Sequence, residues 1–400
     1  MRILIISQYF FPENFRINDL CLGLKDKGHV VSVLTGKPNY PNGKLYDGYS
    51  FLNKRQDNYH GINVYRSNLI PRGSASGLRL LINYISFVIF AIFRILSIRG
   101  KFDRVFVYAP SPITVGYIGI FASFYFKAKP FLWVHDLWPE SVKAAGGINN
   151  KIILSLINTM TKSIYYFYEN ILVQSPYFKN YLVNQGVNSE KITYYPYYAE
   201  SFYKIVDKNK KIDNLFPKGL NIIFAGNIGV AQSFDTIIEA VKITLNNLKN
   251  LNIIVLGDGR DKSRVLKKIK EEGLNNFYFM GSFPPEDMPE YFASADALLV
   301  SLKKSKIFSS TIPGKLQSYL ACGKPIIASL DGIGAKIVND ASCGFSSKAE
   351  DSQGLAESII AFNKLKEEDK IRLGINARKY YENEFEREKL LSKLIDIFEK

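Results

Sequence analysis

Short apolar runs alternate with helical stretches from the first residues onward. Residues 2–7 (RILIIS) are too continuously apolar to keep one face wet, which predicts a buried strand. A helical pattern over 15–27 stops at Gly28, and 29–35 (HVVSVLT) predicts the next strand. Further strands are expected at 62–66, 104–108, 130–134, 170–174 and 191–195. A polar stretch at 200–218, ending near Pro217, then breaks the series. A second series follows at 221–225, 252–256, 276–280, 296–300 and 325–328, with helical stretches between. The tail, 376–400, reads as one long amphipathic helix whose apolar side holds Leu390, Leu391, Leu394, Ile397 and Phe398. The fold class implied is α/β, with two doubly wound Rossmann-like domains, each a parallel sheet covered on both sides.

Length and composition agree with two folded domains. The chain has 400 residues, 47% apolar and 22% charged, which excludes disordered and fibrous classes. Charge changes the picture more. The net charge of +15 is uneven: residues 1–200 hold 22 basic and 11 acidic side chains, so the first half meets whatever anionic partner the charge serves. Nucleic acid is disfavoured because most aromatics fall in apolar runs, not on a basic platform. Cys21, Cys322 and Cys343 are odd in number and have no paired spacing, so neither a disulfide framework nor a zinc site is expected. The N-terminal apolar run is shorter than a signal-peptide core, and a cytoplasmic location is expected.

One segment, 80–93 (LLINYISFVIFAIF), carries no charge. Around it, Lys54, Arg55, Arg66, Arg72, Arg79, Arg94, Arg99, Lys101 and Arg104 face only Asp57 and Asp103. Fourteen residues suit a core helix or one lying on an anionic membrane surface through the basic, apolar 72–104 region. They are short for a span.

Candidate chemistry falls in loops at strand ends, where ligands of such sheets bind. In the second domain, Gly226, Asn227 and Gly229 lie between a strand and a helix expected to start near Ser233, and Gly257, Gly259 and Arg260 follow the next strand. Glycines there let backbone N–H groups approach an anion. Neither loop is a dinucleotide fingerprint or a P-loop. The stretch 312–325 (IPGKLQSYLACGKP) places Lys315 in the first turn of a helix, where its charge adds to the helix field. In the first domain, 131–141 (FLWVHDLWPES) sets His135 at a strand end, suited to bonding a sugar hydroxyl or carrying a proton. The loop 9–16 brings Glu13 and Arg16, and the loop 108–112 has the same placement after a later strand.

In order, these pieces (RILIISQYFFPE, GHVVSVLT, VHDLWPES, FAGNIG, VLGDGR, DALLVSL and GKLQSYLACGKPII) resemble the retaining family 4 glycosyltransferases of GT-B fold, over essentially the whole chain. Within that family they are most similar to bacterial O-antigen and exopolysaccharide transferases, a group that includes N-acetyl-L-fucosamine transferases. The resemblance implies two facing Rossmann-like domains: an acceptor and membrane-side domain at 1–202, a nucleotide-sugar domain at 203–378, and a C-terminal helix at 379–400 crossing back to the first. It implies that His135 contacts the donor sugar near the reacting carbon and that Lys315 holds the diphosphate with the 226–229 loop. It places 257–260 along the nucleotide, and Glu13 and Arg16 in the loop over the donor phosphates.

Three departures from the family pattern bear on these roles. The family's paired glutamates map onto Ser309 and Gln317. The basic residues usual after the glycine loop are replaced by Asn227 and Gln232, so Lys315 carries more of the charge. The glycine pair usual in the first-domain loop is replaced by Asn14 and Phe15.

The function implied is transfer of a sugar from a UDP-sugar donor, without metal or cofactor, to a polyprenyl-diphosphate-linked saccharide at the inner face of the cytoplasmic membrane. An N-acetylated amino sugar such as N-acetyl-L-fucosamine or a related hexosamine is the expected group. A UDP-sugar 2-epimerase of the same fold and a non-enzymatic basic membrane-binding protein are the alternatives.

Overall fold

A computed structural model describes residues 1–74, 76–146 and 149–400. The chain divides into two compact units: unit 1 is Met1–Pro196 with Leu391–Lys400, and unit 2 is Tyr197–Leu390.

In unit 1 the elements run β1 (Arg2–Ser7), α1 (Ile17–Asp26), β2 (Val30–Gly36), β3 (Gln56–Tyr59), β4 (Ile62–Ser67), α2 (Gly77–Ile95), β5 (Arg104–Ala109) and α3 (Val115–Phe126). Next come β6 (Lys129–Val134), α4 (Glu140–Gly146), α5 (Lys151–Phe167), β7 (Asn170–Val173), α6 (Pro176–Asn184) and β8 (Ile192–Tyr194). The strands form one sheet in the order β3-β4-β2-β1-β5-β6-β7-β8, parallel except for β3. Alternate residues serve opposite faces. Leu4, Ile6, Val105, Val107, Leu132 and Val134 join the core beneath α2, α3 and α5. Phe106 and Phe131 point the other way, where Phe398 packs on both at 5.4 and 4.9 Å. The sheet therefore has no wet face, and its strands read as unbroken apolar runs.

Unit 2 runs α7 (Lys210–Asp213), β9 (Leu220–Ala225), α8 (Phe234–Thr244), β10 (Leu251–Leu256), α9 (Lys262–Glu271), β11 (Phe277–Gly281), α10 (Met288–Ser294) and β12 (Ala297–Ser301). It continues with α11 (Lys306–Ser310), α12 (Gly314–Ala321), β13 (Ile326–Ser329), α13 (Ile333–Asp340), β14 (Gly344–Ser347), α14 (Ser352–Asn363) and α15 (Glu367–Glu384), then α16 (Arg387–Glu399), whose end lies in unit 1. The six-stranded sheet, β11-β10-β9-β12-β13-β14, is wholly parallel. Ile223, Ile254 and Leu298 enter one core, while Ile222, Ile253 and Leu299 enter another on the opposite face.

Three expectations are corrected. The tail is two helices, because Phe385 leaves helical geometry (φ −129°, ψ 9°) to bury its ring, and the Glu386 carboxylate accepts from Lys389 N (2.7 Å) to start the next helix. Strands β3 (QDNY) and β14 (GFSS) escape the apolar pattern because they are short, polar edge strands. The 80–93 segment is part of a 19-residue helix, α2, long and apolar enough by composition to cross a membrane. Its Phe87, Ala91 and Ile95 are nevertheless buried in the unit 1 core.

Candidate active site

In an open α/β sheet the crevice lies where strand order reverses. In unit 2 that point is between β9 and β12, and β9 ends in the 226–229 loop. Gly226 N donates to Leu256 O and Gly257 N to Gly281 O, both at 2.7 Å, so three strand ends nest against one another. Only glycine fits there. A Cβ on Gly257 would stand 2.0 Å from Gly226 O, and its φ of +147° disfavours any side chain. Ile228 N donates to Asp258 O (2.8 Å) and Asp261 N to Ile228 O (3.1 Å), making the two glycine loops one body. Gln232 Oε1 accepts from Gly229 N (3.1 Å) and Asn227 Nδ2 (3.4 Å), so these two polar residues shape the loop. Arg260 is exposed at its edge.

Lys315 is the second residue of α12. Its Nζ is 3.5 Å from the Phe224 ring centroid, buried, and has no hydrogen-bond partner among the described residues. The side chain lies against Gly226, where an added Cβ would be 2.7 Å from Lys315 Cε. Four residues on, Tyr319 receives Ala225 N on its hydroxyl (3.0 Å), which clamps α12 to β9. Burial lowers the Lys315 ammonium to about 7. A cation held on a ring face without a counter-ion is poised for an anion, which would restore its charge.

The paired-glutamate positions lie differently. Gln317 is fully buried, and its Nε2 donates to Tyr197 O (2.8 Å), anchoring the start of unit 2. Ser309 Oγ donates to Lys306 O (3.0 Å), while its backbone abuts Gly332 so closely that a Cβ there would lie 1.9 Å from Ser309 O.

In unit 1 strand order reverses between β1 and β5. His135 follows β6 beside this point. Its ring is edge-on to Trp133 (4.1 Å) and near Tyr108 (4.9 Å), and its carbonyl accepts from Gln174 Nε2 (2.9 Å). Burial first, and the Arg16 charge second, hold its pKa well below the ordinary range, so the imidazole is neutral. Arg16 therefore shares a neighbourhood with His135.

Glu13 points inward. It is 2% exposed and accepts from Asn39 N (2.8 Å), Tyr40 N (2.7 Å) and Phe10 N (3.3 Å), tying the loops after β1 and β2 together. Burial outweighs these bonds and the Arg66 charge, raising its carboxyl to about 7. The proton kept by the folded state between pH 4.5 and about 7 gives stability that is lost as pH rises through about 7. Glu13→Ala is expected to cost about 2–4 kcal/mol by orphaning buried N–H groups. Glu13→Gln should instead flatten the pH dependence of urea midpoints over that window; an unchanged slope would remove Glu13 as its source.

Sequence patterns gave no role to a polar group beside His135. Asp136 is held by Ser141, Ser111, the Trp138 side chain and Leu137 N, while burial raises its pKa. Tyr84 of α2 bonds Ser111 and Tyr9, with Arg72 near. The available signal was the placement of these residues in loops 9–16, 108–112 and 131–141; what joins them is α2, which also supplies Asn83 to Gln8 (2.7 Å).

Residues 206–380 match the family of glycosyl transferases, group 1. That stretch contains every glycine-loop residue, Ser309, Lys315 and Gln317. A protein of Escherichia coli (strain K12) named for glycosyl transfer in colanic acid biosynthesis, WcaI, is 25% identical over 343 residues, 81% of this chain and 82% of that protein. Among solved structures, Anabaena Alr3699/HepE in complex with UDP and glucose matches with TM-score 0.70 at 15% identity, covering 100% of this chain and 99% of that one. Sucrose-phosphate synthase from Thermosynechococcus elongatus matches with TM-score 0.75 at 16% identity, covering 100% and 98%. The fold is GT-B.

Proposed function

We propose that this protein is a retaining glycosyltransferase that moves a sugar from a UDP-sugar to a lipid-linked saccharide in the synthesis of a bacterial surface polysaccharide. The donated group is an N-acetylated amino sugar, such as N-acetyl-L-fucosamine or a related hexosamine, and the product feeds O-antigen, capsule or exopolysaccharide. The observation that carries the reading is Lys315, an uncompensated buried cation on Phe224 beside two fused glycine loops at a sheet's switch point. Such a cation suits a diphosphate.

In the reaction, the bond from the sugar's anomeric carbon to the diphosphate oxygen breaks, and the acceptor hydroxyl oxygen bonds that carbon on the same face. The acceptor proton passes to the leaving diphosphate. Charge grows on the departing oxygens, so Lys315 and the loop amides stabilise the transition state more than the ground state, with no metal called for. His135, neutral, offers a hydrogen bond to the sugar. On this reading the protein works at the inner face of the cytoplasmic membrane, where the basic 72–104 region meets anionic lipid and the acceptor's polyprenyl diphosphate is presented.

A thermal-shift panel of UDP, UDP-sugars and GDP-sugars tests the donor side. Saturating UDP at about 100 times Kd is expected to raise Tm by roughly 5–10 °C, and GDP to leave it unchanged. No shift with any nucleotide would sink the reading. Conversion of a UDP-sugar without an acceptor would replace it by epimerisation.

A further inference from the structure

We infer that a groove at the C-terminal end of α2 seats the phosphate of an anionic phospholipid, and that this contact lays α2 flat along a bilayer surface. The inference rests on the membrane side of the reading above and adds a site and an orientation to it.

Leu96, Arg99 and Lys101, just beyond α2, meet Tyr125, Phe126 and Lys127 at the end of α3 around a groove of about 520 Å³. Arg99, Lys101 and Lys127 are exposed and make no ion pair among the described residues. The neighbouring acid, Asp103, is engaged by Arg2 N (2.6 Å). No other Asp or Glu occurs between Asp57 and Asp136. A groove with three unpaired cations and aromatic walls matches a phosphodiester that carries an apolar tail.

The groove continues an apolar stripe. Leu78, Leu81, Ile85, Ile89, Phe93 and Leu96 recur every three or four residues and are 48–69% exposed. Phe124 and Tyr125 of α3 widen the strip at the groove end. On the opposite side of α2, Phe87, Ala91 and Ile95 are locked into the unit 1 core, and Asn83 is bonded to Gln8 and Ile70. A helix fastened along that side cannot span a bilayer without leaving the fold. Its other side can rest on one. Cations stand at both ends, the exposed Arg79 in the first turn and the groove trio after the last, on a helix about 28 Å long at 1.5 Å per residue. Both ends can thus reach headgroups while the stripe between enters the acyl boundary.

Flotation of the full chain with vesicles tests the site. Binding is expected to vesicles with about one third phosphatidylglycerol and to be much weaker with phosphatidylcholine alone. The triple variant Arg99→Glu, Lys101→Glu, Lys127→Glu should lose about 100-fold in binding to the anionic vesicles at unchanged melting temperature. Equal binding by the triple variant would overturn the groove. Competition by millimolar glycerol phosphate would do the same, marking a small-anion site. For orientation, Leu81→Trp and Phe93→Trp should show matching blue shifts of fluorescence on anionic vesicles; a shift at one position alone would overturn the flat placement. None of these readouts needs sugar transfer, so a chain that floats but ignores UDP keeps the surface and loses the transferase reading.

Discussion

Replacing Lys315 by methionine is expected to stabilise the ligand-free protein and to abolish its response to UDP. The ammonium sits buried over Phe224, and burial moves it from 10.5 to about 7. At about 1.36 kcal/mol per unit, the cost approaches 5 kcal/mol at most, and methionine removes it while filling the same space. Because the folded pKa is lowered, between about 7 and 10.5 the unfolded chain holds a proton that the folded chain has released. Stability of the ligand-free protein on this account rises with pH across that window, and the cost is full below about 7. The methionine variant should lack that slope. Turnover should fall by about 10²- to 10³-fold in Lys315→Ala, the scale of losing one preorganised charge at a leaving group. Melting curves from pH 6 to 10 with and without UDP check all of this. A methionine variant that melts lower, or that still shifts with UDP, would refute the role.

For His135→Ala the expected result is a loss of transfer by about 100-fold with the UDP-induced shift intact. The residue belongs to unit 1, packed edge-on to Trp133, whereas Lys315 and the glycine loops belong to unit 2. Burial and Arg16 keep the imidazole neutral, so the rate should show no step at the ordinary histidine pKa near 6.5. Because the ring also packs on Tyr108, His135→Gln, which retains a hydrogen-bonding tip, separates chemistry from packing and should restore part of the activity. Loss of UDP binding in His135→Ala would count against a sugar-side contact.

The two predictions differ in how they could be reached. Lys315 was legible in sequence because a Pro-Gly turn before a helical pattern, with Gly323 after it, fixes where α12 begins. Its seat was not. Phe224 reads simply as an apolar strand residue, and only folding brings its ring under an ammonium 91 positions away. Glu13 shows the opposite case. The loop after β1 was a sound place to look for an acid, yet backbone N–H groups from two loops capture the carboxylate and turn it inward. Gln317 likewise spends its amide on Tyr197 O.

The apolar runs, the glycine stops and the strand-end motifs by themselves determined two parallel α/β units and the loops that carry candidate chemistry. These are local patterns, set by the two-residue period of strands and the steric freedom of glycine. Tertiary structure alone decided which of those loops lock together, which polar side chains are used up in holding them, and where the excess positive charge stands. Fourteen uncharged residues admitted a core helix, a surface helix or a span; packing of Phe87, Ala91 and Ile95 against the sheet uses one side of α2 and leaves its other apolar side uncovered. The physical reason is that a chain segment's own composition states how much apolar surface it has, whereas only its neighbours determine how much of that surface is removed from water.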